Sequence, residues 1–173
     1  MVKHTMERKI ESETFSIPVN LIERLKQEVV VKLEVENIFK LNDKLDGVFY
    51  LHKQLKRVLS IYVVERFLNI KLLNQEKLLK SKSSIVINDT RIFVIGVEYG
   101  EKIKIPKIDV DLFLVVGFLD NHKRGRVLGC ITQEDCLKLN EPKESKNSVI
   151  SKEIIAVVRK ENLKEFSNDT TKK

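Results

Sequence analysis

Six basic side chains in two short runs are the groups best suited, by type and spacing, to chemistry. Lys123, Arg124 and Arg126 fall in the loop Asp120-Asn121-His122-Lys123-Arg124-Gly125-Arg126. A hairpin tip there sets three cations against neighbouring phosphates, with Gly125 permitting the turn. Lys53, Lys56 and Arg57 form a second cluster on what reads as a long helix. If both clusters share a face, the case for an anionic partner strengthens. The competing reading of the 120–126 loop is a solubilising turn that guards a sheet.

Other chemistry is thinly supplied. The six glycines are scattered, so there is no glycine-rich phosphate loop. His4, His52 and His122 share no ligand spacing, and Cys130 and Cys136 have no histidine beside them in sequence. Cys130 lies in an apolar run, where a small core thiol is the usual meaning. Nothing marks a Ser/His/Asp or Cys/His catalytic set.

The net charge of +7 makes an acidic partner plausible, nucleic acid first. Lys and Glu are interleaved through most of the chain, so a solvated surface explains the charge equally well. Tryptophan is absent and aromatics make up 6% of the chain, too few for a surface that stacks single-stranded bases. Two cysteines exclude a disulfide scaffold and favour a reduced, cytoplasmic setting. The opening MVKHTMERKIESE holds no apolar core segment, and no window approaches the apolar length of a membrane span. We therefore expect no membrane association.

These groups must be carried by a single α+β domain of about residues 14–166, between a flexible N-terminus (1–13) and a disordered tail (167–173). Phe15 to Val19 reads as a short edge strand or a lead into a helix, because Pro18 cannot donate to a central ladder. Asn20 and Glu23 have capping-box spacing, and Ile22, Leu25, Val29 and Leu33 recur helically, predicting a helix over 21–37. Asn42 to Gly47 reads as a loop, and a long helix follows from Val48 to about Leu73. Leu55, Val58, Leu59 and Tyr62 form its apolar stripe. Glu65 and Arg66 fall near that stripe, so they need partners or a path to water. After a polar connector over 77–84, Ile85-Val86-Ile87 and Arg91 to Val94 flank Asn88-Asp89-Thr90 as a tight hairpin. Further strands are expected over 110–119, 126–132 and 154–159, with a short helix or turn over 133–139 and a loop over 140–148. The expected architecture is N-terminal helices packed on a mixed, mostly antiparallel sheet.

Metal-dependent phosphodiester cleavage requires two or three carboxylates on a hard cation, plus a lysine. The order helix, hairpin, strand, strand, with Glu65 on the helix, Asp89 at the turn and Glu98 on a strand, resembles the restriction-endonuclease-like (PD-(D/E)XK) arrangement. The resemblance continues through KIPKIDVDLFLVVGFL and GRVLGCITQEDCLK to IIAVVRKENLKEF, covering roughly residues 46–166. It implies catalytic roles for Glu65, Asp89, Glu98 and Lys102, and a Mg²⁺ held by Asp89 and Glu98. The chain departs from the family in one respect: Glu98 is followed by Tyr99 and Gly100, so the acidic-x-lysine tripeptide is missing. Lys102 or Lys104 would have to substitute from a displaced position. The resemblance therefore implies a nucleic-acid-associated domain with a degenerate or atypical active site. The competing expectation is a non-catalytic protein–protein interaction or assembly subunit, with a protein partner or a homo-oligomer.

Overall fold

The computed structural model describes residues 13–98, 101, 103–134 and the backbone of 149–150. Lys102, Cys136, the loop over 140–148, the expected strand over 154–159 and both expected tails lie outside the described residues, apart from Glu13.

The fold is α+β, as the patterning predicts. A short strand β1 (Thr14–Ser16) leads into helix α1 (Val19–Leu33). A 3-10 helix over Ile38–Asp43 joins α1 to the long helix α2 (Gly47–Leu68). The strands are β2 (Ser84–Ile87), β3 (Thr90–Glu98), β4 (Ile103–Lys104), β5 (Leu112–Leu119), β6 (Arg124–Thr132) and β7 (Val149–Ile150). Five of them form one mixed sheet in the order β1-β6-β5-β3-β2, and β4 pairs with β7. The pair β3–β5 is parallel and the other three pairings of the sheet are antiparallel.

The parallel pair explains why β5 reads as a continuous apolar run. A parallel connection needs a crossover that covers a face of the sheet, so its strands lose their polar side. Leu112, Leu114, Val116 and Phe118 face the helices with Ile92 and Val94 of β3. Phe113 and Val115 face the other way with Val97, and there Ile103, Ile105, Ile108 and Val110 of the crossover cover them. The register shift between Val115 and Val116 marks a bulge: Val115 pairs with Gly129 and Val116 with Val127, leaving one extra residue in β6.

Helix α2 crosses the sheet at two glycines. A Cβ on Gly96 of β3 would stand 2.4 Å from the Lys56 carbonyl oxygen, and one on Gly125 of β6 would stand 2.7 Å from Val63 Cγ2. Gly125 therefore admits the helix. The turn expected of it is made instead by Asp120, Asn121 and His122, all at positive φ, while Arg124 and Arg126 lie in β6 itself. The Asn88-Asp89 turn has positive φ at both residues, which gives the tight hairpin the twist its strands need.

Two boundaries differ from expectation. α1 starts after Pro18, so Asn20 lies within the helix, and the chain leaves it at Glu34 in a left-handed conformation. α2 stops at Leu68 with Asn69 left-handed, not near Leu73. The cause is the connector that follows, which is held from the side by charged groups of both helices. Glu28 of α1 accepts from the N–H groups of Leu78 and Leu79, both at 2.9 Å.

Candidate functional site

Glu65, implied as catalytic, is part of that same clamp. Its Oε2 accepts from the N–H of Leu72 at 2.7 Å and of Leu73 at 2.8 Å. Arg57 points inward too, donating to the carbonyls of Ser81 and Leu79 and to Gln54 Oε1 at 2.8 Å. Burial pushes the Arg57 guanidinium below its ordinary value, against a smaller opposing influence of Tyr50. Both residues satisfy backbone groups of the 72–81 segment, and Arg57 is not presented to a phosphate.

Asp89 and Glu98 do not come together. Asp89 is in the β2–β3 turn and Glu98 is the last residue of β3. Nine residues of extended strand separate them by about 30 Å, far beyond the span of one metal ion. Glu65 is engaged elsewhere and Lys102 lies outside the described residues. Among the described residues, no group of three His, Cys, Asp or Glu side chains converges as a metal site. At that separation Asp89 and Glu98 are not brought together as ligands of one Mg²⁺.

Glu98 belongs to a different cluster. Parallel β3 and β5 end on the same edge, and Glu98 is registered with Phe118. Beyond Phe118 the chain turns, and His122 folds back on its ring with centroids 5.0 Å apart. His122 is buried, and Glu98 Oε1 approaches its Nε2 to 3.2 Å. The approach falls outside hydrogen-bond geometry, so among the described residues Nε2 has no hydrogen-bond partner. Desolvation lowers the imidazole pKa, with His52 and Lys56 adding to it and Glu98 and the Asn121 backbone opposing. Lys56 itself is paired with Glu101 at 2.8 Å. Partial burial opposes ionisation of Glu101, but the Glu98 N–H and Lys56 together hold its carboxyl below the usual range. The cluster is a mutually neutralising set that closes the carboxyl edge of the parallel pair. His52, His122 and Glu101 were not among the expected site residues, because no spacing in the sequence relates them.

Lys56 and His52 act electrostatically on His122, but Arg124 and Arg126 alternate along β6 with Gly125 and Val127, which face the helices, so both project from the other side of the sheet. Several charges of the two basic clusters are already engaged: Lys56 with Glu101, Arg57 with the connector, and Arg124 with Asp120 at 2.7 Å. Among the described residues, no ion pair or hydrogen bond engages the side chains of Lys53, Lys123 or Arg126.

A second surface stands at the other end of α2's first turn. Asn37 caps the 3-10 helix by accepting from the Phe39 N–H at 3.0 Å, and Leu41 is buried beneath it. Lys44 N–H then donates to Leu41 O, and Gly47 N–H to Lys44 O. Asp46 takes a left-handed conformation. A Cβ on Gly47 would meet the Leu41 carbonyl oxygen at 2.3 Å, so glycine is required where the turn folds under. This backbone frame holds four apolar side chains out to solvent: Phe39 at 88% exposure, Leu45 at 96%, Phe49 at 69% and Val48 at 40%. Leu45, Val48 and Phe49 line an open depression of about 480 Å³ together with Asn42, Lys44 and Asp46.

Comparison with known proteins matches the chain to no family model, no curated protein and no solved structure.

Proposed function

We propose that this protein is a non-catalytic protein-interaction or assembly subunit whose contact surface is the apolar corner over residues 38–49. The observation that carries the reading is the outward display of Phe39, Leu45, Val48 and Phe49 on a hydrogen-bonded frame. Clustered apolar exposure of this kind marks interaction sites on soluble domains. The test is the size of the native assembly at low and at high salt, where charge–charge attraction is screened within about 3 Å at 1 M. An assembly that survives high salt and is lost in Leu45→Ser and Phe49→Ser supports the reading. One that dissolves with salt alone, or ignores both substitutions, overturns it.

A second reading, nucleic-acid association by a domain with a degenerate endonuclease-like site, is favoured by one observation. Lys56 and His52 of α2 act electrostatically on His122 of the 120–126 turn. Lys53, Lys123 and Arg126 are the cations left to meet phosphate.

A further inference from the structure

The apolar corner carries both halves of a joint. In a 3-10 helix, side chains three residues apart eclipse one another. Phe39 therefore stands directly above Asn42, and Asn42 lines the depression that also holds Leu45, Val48 and Phe49. At 88% exposure the ring does not enter that depression, which is open and lined by apolar and polar groups in nearly equal measure.

We propose that the occupant of the depression is Phe39 of a second copy of this chain, inserted reciprocally about a two-fold axis. The proposal rests on the interaction reading above and names its partner. A two-fold interface must be self-complementary, so each patch needs what it also offers. The rim meets that condition in charge: Lys40 and Lys44 alternate with Asp43 and Asp46. Lys40 and Asp43 lie 4.0 Å apart, both well exposed and weakly held, leaving each able to re-pair across the axis. A rim of one sign would repel its own copy, whereas this one does not. Size agrees as well. Two exposed phenylalanines with Leu45 and Val48 offer on the order of 500 Å² of apolar side chain. With its polar rim, the patch approaches the roughly 800 Å² per partner of a standard interface.

The experiment is sedimentation equilibrium of the purified full chain across the micromolar range, with Phe39→Ser and Lys44→Glu beside the wild type. Wild type should dimerise, and the dimer should persist in high salt. Phe39→Ser should weaken dimerisation by on the order of a thousandfold, because each two-fold dimer loses two central anchors worth about thirtyfold each. Its thermal midpoint should match wild type at dilutions where both are monomeric, because the ring makes little of the fold's own core. Lys44→Glu should weaken dimerisation less, and by an amount that shrinks as salt rises. A wild type that stays monomeric throughout overturns the proposal, as does a dimer unaffected by Phe39→Ser. If the pure protein is monomeric while Leu45→Ser and Phe49→Ser still abolish the native assembly, the second copy is excluded and the interaction reading stands. If the native assembly also ignores those substitutions, both fall.

Discussion

A single oxygen of Glu65 accepts two backbone N–H groups just past the end of α2, at Leu72 and Leu73. Hydrogen bonds to a charged acceptor contribute more than neutral ones, because the amides would otherwise be desolvated without compensation. Glu65→Ala is expected to destabilise the fold by about 1.5–3 kcal/mol. Glu65→Gln, which keeps an acceptor oxygen, should cost roughly half as much. Urea denaturation reads both as midpoint shifts at constant slope; no shift for Glu65→Ala would remove its structural role. His122 gives a pH-dependent counterpart. Its folded pKa lies below the ordinary 6.5, so the unfolded chain takes up a proton first as pH falls. Stability from this group is therefore present above the ordinary imidazole value and lost as pH falls from it through the lower folded value. His122→Asn keeps a residue tolerant of the left-handed turn, and should flatten that slope in denaturation midpoints measured over the same interval.

At the scale of elements, the seat of α2 on the sheet depends on two absent methyl groups. At Gly96 the obstacle to a Cβ is the helix backbone, which cannot rotate away. At Gly125 it is one methyl of Val63, which can yield. Gly96→Ala is thus expected to cost about 1–3 kcal/mol by overpacking, and Gly125→Ala measurably less. Equal losses in thermal melts would mean that the helix does not bear on β3 as described. The opposite end of the parallel pair is tied by Arg91, which donates to Asp111 at 3.0 Å and to Asp109 at 2.9 Å. The Arg91 hydrogen bonds hold the Asp111 carboxyl below the usual aspartate range and raise the guanidinium above its own ordinary value. This tether is complete above the ordinary aspartate value and released as pH falls through the lower folded one.

Over the whole molecule, a net charge of +7 says less about partners than the disposition of individual cations. Of the six basic residues marked by the sequence, Arg57, Lys56 and Arg124 already have internal partners. Among the described residues the other three have no such partner, and each neutralised phosphate contributes about −0.9 to the slope of log affinity against log salt. Any duplex binding through these three cations should therefore show a slope near −3 or shallower. Lys53→Glu, Lys123→Glu and Arg126→Glu together should flatten it. A much steeper slope in salt-titrated binding would mean that other cations carry the contact. The apolar corner predicts the reverse behaviour, an association indifferent to salt.

The sequence by itself determined the local pieces. Period-3.6 stripes placed both helices, the alternation and β-branching of Ile85–Val94 placed the hairpin, and Asn88-Asp89 chose its turn, because these depend on neighbouring residues alone. Even the corner left a trace: at 100° per residue, Phe49 falls on the same helical face as His52, Lys53 and Lys56, an aromatic ring among polar groups. Tertiary structure decided everything that depends on which ends meet. The parallel pairing of β3 with β5 gathered Glu98, His122 and Lys56 on one edge and left Asp89 on the other. The docking of α1 and α2 on the 72–81 connector turned Glu65 and Arg57 from candidates for chemistry into supports of the backbone. A charge near an apolar stripe announces that it needs a partner, but the partner's identity depends on residues 7 to 24 positions away, brought close only by the fold.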